Sequence, residues 1–469
     1  MVVLWTDALI YLLIAVILAL GLYLRGKEHI QRPLQQIGRS KIGMVSLVVL
    51  LFFVLIGLLD SVHFKPADDK KNEIISLLDD WATPLREHGE KTYSAPFATT
   101  LYSKEMMTMA DGSMQWGYPR LEFGGKHLNN PETEKIPDIL QKTAYGLVQG
   151  LGLTGAFMLL WYLVRQTHFE RLNFIVRPEL VAQGQVVPEA RHGEQFNPSA
   201  KAVWVVLFII VPLATALIHL SAYYHVFGTD KVGEDVFYQA VKSIRTGLVI
   251  GTLTTLIMLP MAIIFGILAG FFRGWVDDVI QYIYTTLNSI PSVLLIAASI
   301  LMVQVYMANH EAAFTSVIVR ADMRLLFLCM ILGVTSWTGL CRLLRAETLK
   351  LREMEYVQAA QALGVKQGTI LVRHILPNVM HIVLISVVLD FSSLVLAEAV
   401  LSYINIGVDP TSYSWGNMIN GARLEMAREP IVWWSLSAAF VFMFALVLAA
   451  NLFADVVQNA FDPRRSGNE

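Results

Sequence analysis

The chain has 469 residues, of which 55% are hydrophobic and only 16% charged, and its mean hydropathy is +0.52. Soluble globular domains carry about 25% charged residues, so this composition excludes an ordinary soluble enzyme. A net charge of −2 likewise excludes the basic footprint of a nucleic-acid partner.

The apolar residues come in blocks. A bilayer core is crossed by a helix of about 20 mostly apolar residues, and about nine stretches fit: 3–24, 42–60, 144–164, 202–220, 244–270, 279–303, 325–345, 379–400 and 433–455. The expected fold is therefore an all-α polytopic membrane protein. The first stretch has Asp7 as its only early charge, with no basic leader and no small-residue cleavage site, and is expected to be a retained anchor.

Basic residues orient such spans, because short cytoplasmic loops concentrate Lys and Arg. Arg25, Lys27, Arg32, Arg39 and Lys41 follow the first stretch; Arg165, Arg171, Arg177, Arg191 and Lys201 follow the third. Arg342, Arg345, Lys350, Arg352, Lys366 and Arg373 lie between the seventh and eighth, and Arg464 and Arg465 near the end. Alternating spans put all four groups on one side, which places the N-terminus outside and the C-terminus in the cytoplasm. The 271–278 loop, with Arg273 against Asp277 and Asp278, fits least well.

The regions expected are an N-terminal anchor and basic loop over 1–41, a span at 42–60, an external region at 61–143, two further spans with a loop over 144–220, and a core over 221–465. The external region carries Trp81 and Trp116 among several tyrosines, which favours a folded cap. The 165–201 segment is polar and interrupted by Pro178, Pro188 and Pro198, so irregular structure is expected there.

Enzyme chemistry has no foothold. The chain contains no phosphate-binding Gly-x-x-x-x-Gly-Lys-Ser/Thr loop, no His-Glu-x-x-His helix, no Cys-x-x-Cys pair and no Gly-x-Ser-x-Gly elbow. Its two cysteines, Cys329 and Cys341, fall on one expected helix. A rise of about 1.5 Å per residue separates them by roughly 18 Å, beyond disulfide reach. No cofactor and no metal site is expected.

The most informative stretch runs from Glu355 to Gly364 and on through Arg373-His374-Ile375-Leu376-Pro377-Asn378. It reads as a short helix, a glycine stop and a second helix leading into the next span at Pro377. Gly364 suits the left-handed conformation that ends helices. Ala359 and Ala360 remove side-chain bulk, so another surface could come close. Spacing alone is equally compatible with an ordinary amphipathic loop helix.

The pattern Ala359-Ala360, three residues, Gly364 and a hydrophobic-x-Leu-Pro ending at Pro377 resembles the cytoplasmic coupling loop of binding-protein-dependent ABC importers. The acid that usually leads this motif is Gln358 here. The Arg373–Asn378 ending resembles the peptide, dipeptide and nickel branch. In the same order, Gly228-Thr229-Asp230, Gly266 to Asp277, Glu398 to Pro410, Ser414-Trp415-Gly416 and Asn451 to Arg464 resemble other segments of that family. Glu234 stands where the family usually has an arginine. The likeness covers about 221–465.

That resemblance implies a permease core with a coupling loop over 346–378, a second homologous permease subunit, two ABC ATPase subunits, an extracytoplasmic solute-binding protein and a bacterial inner-membrane location. Tyr356, Gln358, Ala359, Ala360, Leu363 and Gly364 would dock the ATPase, and His374 and Pro377 would tie the loop to the eighth span. Peptide is the default solute. Either 42–60 or 202–220 could be the first core span.

Asp390 sits near the middle of the eighth span, where a charge is expensive in lipid. It either faces the solute path and a cationic part of the cargo, or packs against the partner subunit, satisfied by Ser386, Ser392 or Ser393. His219 is expected at an interface, and Pro260 and Pro291 are expected to kink their helices. Two rival readings stay open from the residues: an ion-coupled secondary transporter using Asp390, and a structural subunit whose external region does the work.

Overall fold

The computed structural model describes residues 2–24, 28–65, 74–108, 113–173, 198–310 and 316–461. Arg25, Lys27, Arg177, Arg191, Arg464, Arg465, Pro178, Pro188 and most of the polar 165–201 segment lie outside the described residues. Helices α1 (Trp5–Leu24), α2 (Glu28–Arg39) and α3 (Lys41–Ser61) come first. The antiparallel strands β1 (His63–Phe64) and β2 (Ile75–Ser76) lead into α4 (Leu77–Trp81) and α5 (Thr83–Glu87). A hairpin of β3 (Glu105–Thr108) and β4 (Met114–Gly117), in register with Glu105 opposite Gly117, precedes α6 (Pro131–Asn173) and α7 (Pro198–Ser221).

The C-terminal half is helical throughout its regular structure: α8 (Val236–Phe272), α9 (Gly274–Ser289), α10 (Ser292–Asn309), α11 (Val317–Ser336), α12 (Thr338–Arg352), α13 (Glu355–Ala362), α14 (Gln367–Ile370), a π-helical turn (Leu371–Ile375), α15 (Leu376–Tyr403), α16 (Trp415–Glu425) and α17 (Trp434–Phe461). Among the described residues, seven stretches are long and apolar enough to cross a membrane: Lys41–Ser61, Pro131–Val164, Ser199–Ser221, Val236–Phe272, Ser292–Asn309, Gln367–Tyr403 and Trp434–Phe461. The protein is a polytopic helical membrane protein.

Two expected spans are each two helices. The 279–303 stretch is broken at Ile290–Pro291, where Pro291 stands as the N-cap of α10 instead of kinking a continuous helix. The 325–345 stretch is broken at Trp337, which is buried and belongs to neither α11 nor α12. Pro260, by contrast, lies inside α8. Of the other expected spans, the apolar part of α1 is short, Trp5–Ala19, and α11 carries Arg320, Asp322 and Arg324.

The chain divides into two units. The first comprises 1–34, 49–87 and 236–469. Within lipid, helices associate through close packing and interhelical hydrogen bonds rather than through hydrophobic expulsion from water. Gly266 and Gly270 let α8 lie directly on α12: a Cβ on Gly266 would stand 2.8 Å from the Cys341 carbonyl oxygen, and one on Gly270 2.6 Å from the Thr348 Cβ. Trp415, at the start of α16, donates its indole N–H to the Ala240 carbonyl of α8 at 3.0 Å.

A buried charge clasp holds α1 in this unit. Arg245 of α8 donates to Asp7 Oδ1 at 2.6 Å, and His63 Nδ1 lies 2.8 Å from the other Asp7 oxygen. Asp322 of α11 accepts the Trp5 and Thr6 backbone N–H groups at 3.0 and 3.3 Å and the Thr6 hydroxyl, so it caps α1 from another helix. Beside it, Lys242 pairs with Asp60 at 3.1 Å and with Asp79. Asp79 accepts the Tyr238 hydroxyl at 2.6 Å, and its carboxylate closes a capping box with Ser76 at the start of α4.

The second unit comprises 35–48 and 88–235. Here α6 and α7 pack as an antiparallel pair over Gly146 and Gly150; the Thr215 hydroxyl reaches the Gly146 carbonyl at 2.8 Å. Its non-helical part is centred on Glu90, which accepts the N–H groups of Glu122, Phe123 and Gly124 at 2.9, 2.9 and 3.0 Å. His225 bridges Glu90, at 3.3 Å, and Asp235, at 2.7 Å. Burial alone would lower the His225 ring, but the two carboxylates raise it to about 9. Burial would raise Glu90; the His225 ring and the three N–H groups bring it down to about 2. His219, expected at an interface, lies against the Tyr145 ring at 4.9 Å between centroids.

Candidate functional site

The segment from Glu355 to Asn378 follows the end of α12 at Arg352. Met354 is the N-cap of α13, which spans only Glu355–Ala362 because the following residues form a Schellman turn. The Val365 N–H reaches the Ala360 carbonyl at 3.1 Å and the Gly364 N–H reaches the Gln361 carbonyl at 3.0 Å. Gly364 has φ +75°, the left-handed conformation that glycine adopts without strain.

Helical periodicity then sorts the segment into two faces. Val357 and Ala360 point inward and join Ile370, Ile375, Leu344, Cys341 and Phe271 in one buried cluster. Tyr356, Gln358, Ala359, Leu363 and Gly364 are exposed, Leu363 to 83%. The two alanines of the motif therefore differ in role. Ala359 leaves the outer surface low, whereas Ala360 is only 8% exposed and keeps α13 close to its own chain.

Polar contacts brace the back of the segment. Arg345 of α12 donates two hydrogen bonds to Asp277 of α9, at 2.6 and 2.7 Å, and this guanidinium holds the Asp277 carboxyl below its ordinary value. Arg273 pairs with Glu353 at 2.6 Å on the exposed side, and Gln358 reaches Glu353 at 3.4 Å. Asn378 donates to the His374 carbonyl at 2.6 Å and to the Tyr356 hydroxyl at 3.2 Å, and the Tyr356 and His374 rings lie 6.2 Å apart. Tyr356, His374 and Asn378 thus join α13 to the base of α15. The role of Asn378 had a sequence signal, its place in the Arg373–Asn378 ending, but only the fold brings it to Tyr356.

Past Gly364 the helix does not stop again. α14, the π-helical turn and α15 follow one another without a break over Gln367–Tyr403, with Pro377 inside that run, where it removes one main-chain donor directly after the π-turn. A π-turn carries one extra residue per turn, a device frequent at functional sites. Asp390 lies half-buried on this helix, remote from α13.

A short, outward-facing helix followed by a continuous helix long and apolar enough to cross a membrane marks this part of a polytopic helical membrane protein. The sequence profile of the family described as "Binding-protein-dependent transport system inner membrane component" matches residues 262–467. The chain is 31% identical to the dipeptide transport system permease protein DppC of Lactococcus lactis subsp. cremoris, over 52% of this chain and 64% of that protein. It is 30% identical to the oligopeptide transport system permease protein OppC of Bacillus subtilis, over 51% of this chain and 72% of that protein. A solved chain of the MetNI methionine ABC transporter in an inward-facing conformation is similar at 15% identity and a TM-score of 0.35, covering 48% of this chain and 96% of that one; so distant a likeness carries no argument. The chain belongs to the binding-protein-dependent transport system inner-membrane components.

Proposed function

We propose that this chain forms half of the transmembrane pathway of an ABC importer for peptides. A second permease would complete the pathway, two ATPase subunits would dock on the exposed face of α13, and an external binding protein would deliver the solute. The observation that carries this reading is the outward face of α13, with Tyr356, Gln358, Ala359 and Leu363 exposed beside the Gly364 turn, feeding into the unbroken helix Gln367–Tyr403. ATP-driven closure of the ATPases would displace α13, and its buried contact with Ile370 and Ile375, together with the Tyr356–Asn378 hydrogen bond, would pass that displacement to α15. His374 and Pro377, at the junction, would keep the loop and the span moving together.

The four basic segments favour a cytoplasmic coupling loop with the N-terminus outside. Of the two candidates for the first core span, α3 is favoured. Residues 49–61 share a unit with 236–469, and a Cβ on Gly57 would meet the Leu248 side chain of α8 at 2.6 Å.

The test is purification of the tagged chain from cells that make the whole system. A complex is expected with a second permease and two P-loop ATPases, whose ATP hydrolysis rises when the loaded binding protein is added. A chain that purifies alone and carries solute down an ion gradient without ATP would refute the importer reading in favour of secondary transport.

A further inference from the structure

Most carboxylates carried on the spans have partners. Asp7 meets Arg245 and His63, Asp60 meets Lys242, and Glu398 accepts the Ser402 hydroxyl at 2.6 Å. Asp390 differs: among the described residues no hydrogen bond or ion pair ends on its carboxylate. The serines best placed to satisfy it use their hydrogens elsewhere. The single Ser392 hydroxyl hydrogen is taken by Asn451 Oδ1 at 2.6 Å, and Ser393 donates to the main-chain carbonyl of Asp390 itself at 2.8 Å.

The surroundings of Asp390 give this group a direction. Along α15, Leu389, Ser393, Leu396, Val400 and Tyr403 are exposed, and Ser386 and Asp390 are half-buried. Their spacing of three and four residues makes one continuous stripe. Its middle is polar: Ser386 stands one turn before Asp390 and Ser393 one turn after. The same helix continues back to Gln367, so Asp390 is carried roughly 35 Å from the coupling turn on the element that turn would drive.

A half-buried carboxylate with no cation beside it is a strong attractor for one. We propose that Asp390 holds the ammonium group of the solute during its passage, and that displacement of α15 by the coupling segment changes that grip. This rests on the importer reading above and names the part of the cargo that the pathway recognises. The free α-ammonium, shared by unmodified peptides whatever their side chains, would donate to Asp390 in a charge-assisted hydrogen bond of about 2.7–2.9 Å. The Ser386 and Ser393 oxygens keep lone pairs for its remaining hydrogens. One acid on the driven helix could thus serve peptides of varied sequence.

The experiment uses the complete transporter with its binding protein and labelled trialanine as the probe. Asp390→Asn keeps shape and hydrogen bonding but removes the charge, and Asp390→Glu keeps the charge. Uptake by the Asn variant is expected to fall at least tenfold with the complex recovered in wild-type yield, while the Glu variant keeps most of its uptake. Wild-type uptake in the Asn variant, equal losses in both variants, or loss of the assembled complex in the Asn variant overturns the assignment. A wild-type transporter that carries no trialanine at all overturns the peptide reading itself, and this inference with it.

Discussion

Replacing Gly364 probes the coupling segment with the least collateral change. A Cβ built on Gly364 meets nothing within 4 Å, so a side chain there creates no clash. The whole effect comes from the backbone: at φ +75° an L-residue is disfavoured by roughly 1–2 kcal/mol, more if β-branched and less for Asn. About 1.4 kcal/mol is a factor of ten in an equilibrium. Gly364→Ala should therefore leave the Schellman turn formed about one-tenth as favourably, Gly364→Val less still, and Gly364→Asn should approach wild type. The buried face of α13 is untouched, so insertion and yield should not change. The assay is pull-down of the ATPase subunits together with labelled peptide uptake, across the series Gly, Asn, Ala, Val. Both readouts should fall in that order. Wild-type uptake in Gly364→Val refutes the argument that the turn sets the docking geometry.

Ala359→Glu and Ala360→Glu should part company: the first, on the exposed face, should keep the yield and lose ATPase pull-down. The second buries an unpaired carboxylate among Val357, Ile370 and Ile375, at several kcal/mol, and should lose folded protein on detergent gel filtration. The pairing of His225 with Glu90 and Asp235 makes stability depend on pH in two windows. His225 is raised to about 9, so its contribution, on the order of 3 kcal/mol, is complete below its unfolded value of about 6.5 and is lost as pH climbs through about 9. Glu90 is lowered to about 2, so its contribution is present above about 4.5 and is lost as pH falls toward about 2. Thermal melting against pH should show both edges, and His225→Gln should abolish the alkaline one. Cysteines placed at Leu363 and at Met114, both exposed, should be labelled from opposite sides of the membrane, Leu363 from the cytoplasm; labelling of both from one side rules out the proposed orientation.

Features written locally were legible in the sequence. The positive φ of Gly364 and the short helix before it follow from a few adjacent residues, and so does the apolar run of α3. The break at Trp337 was not legible, because an apolar run of one hydropathy looks alike whether it is one helix or two. The split between Ala359 and Ala360 needed the phase of α13 against α12, which small residues do not betray. Asp7 drew notice only as a charge near an anchor. Its partner Arg245 lies 238 positions away, and no periodicity links them. Asp390 was visible as a costly acid, but whether neighbouring serines satisfied it depended on where each hydroxyl points.

The clasp on α1 also sets an order of events during synthesis. α1 leaves the ribosome well before α8 and α11: Arg245 is 238 residues behind Asp7 and Asp322 is 316 behind Thr6. At about 5–20 residues per second the first helix waits roughly ten to sixty seconds for them. Until α8 follows, Asp7 has only His63 beside it, and until α11 follows, the first turn of α1 lacks its Asp322 cap, so α1 has to be sheltered by the insertion machinery or held near the lipid headgroups. Its final seating is then among the last steps of assembly. A chain truncated before α8 would leave Asp7 without the Arg245 guanidinium it meets in the finished fold, a mark by which quality control could distinguish unfinished copies from complete ones.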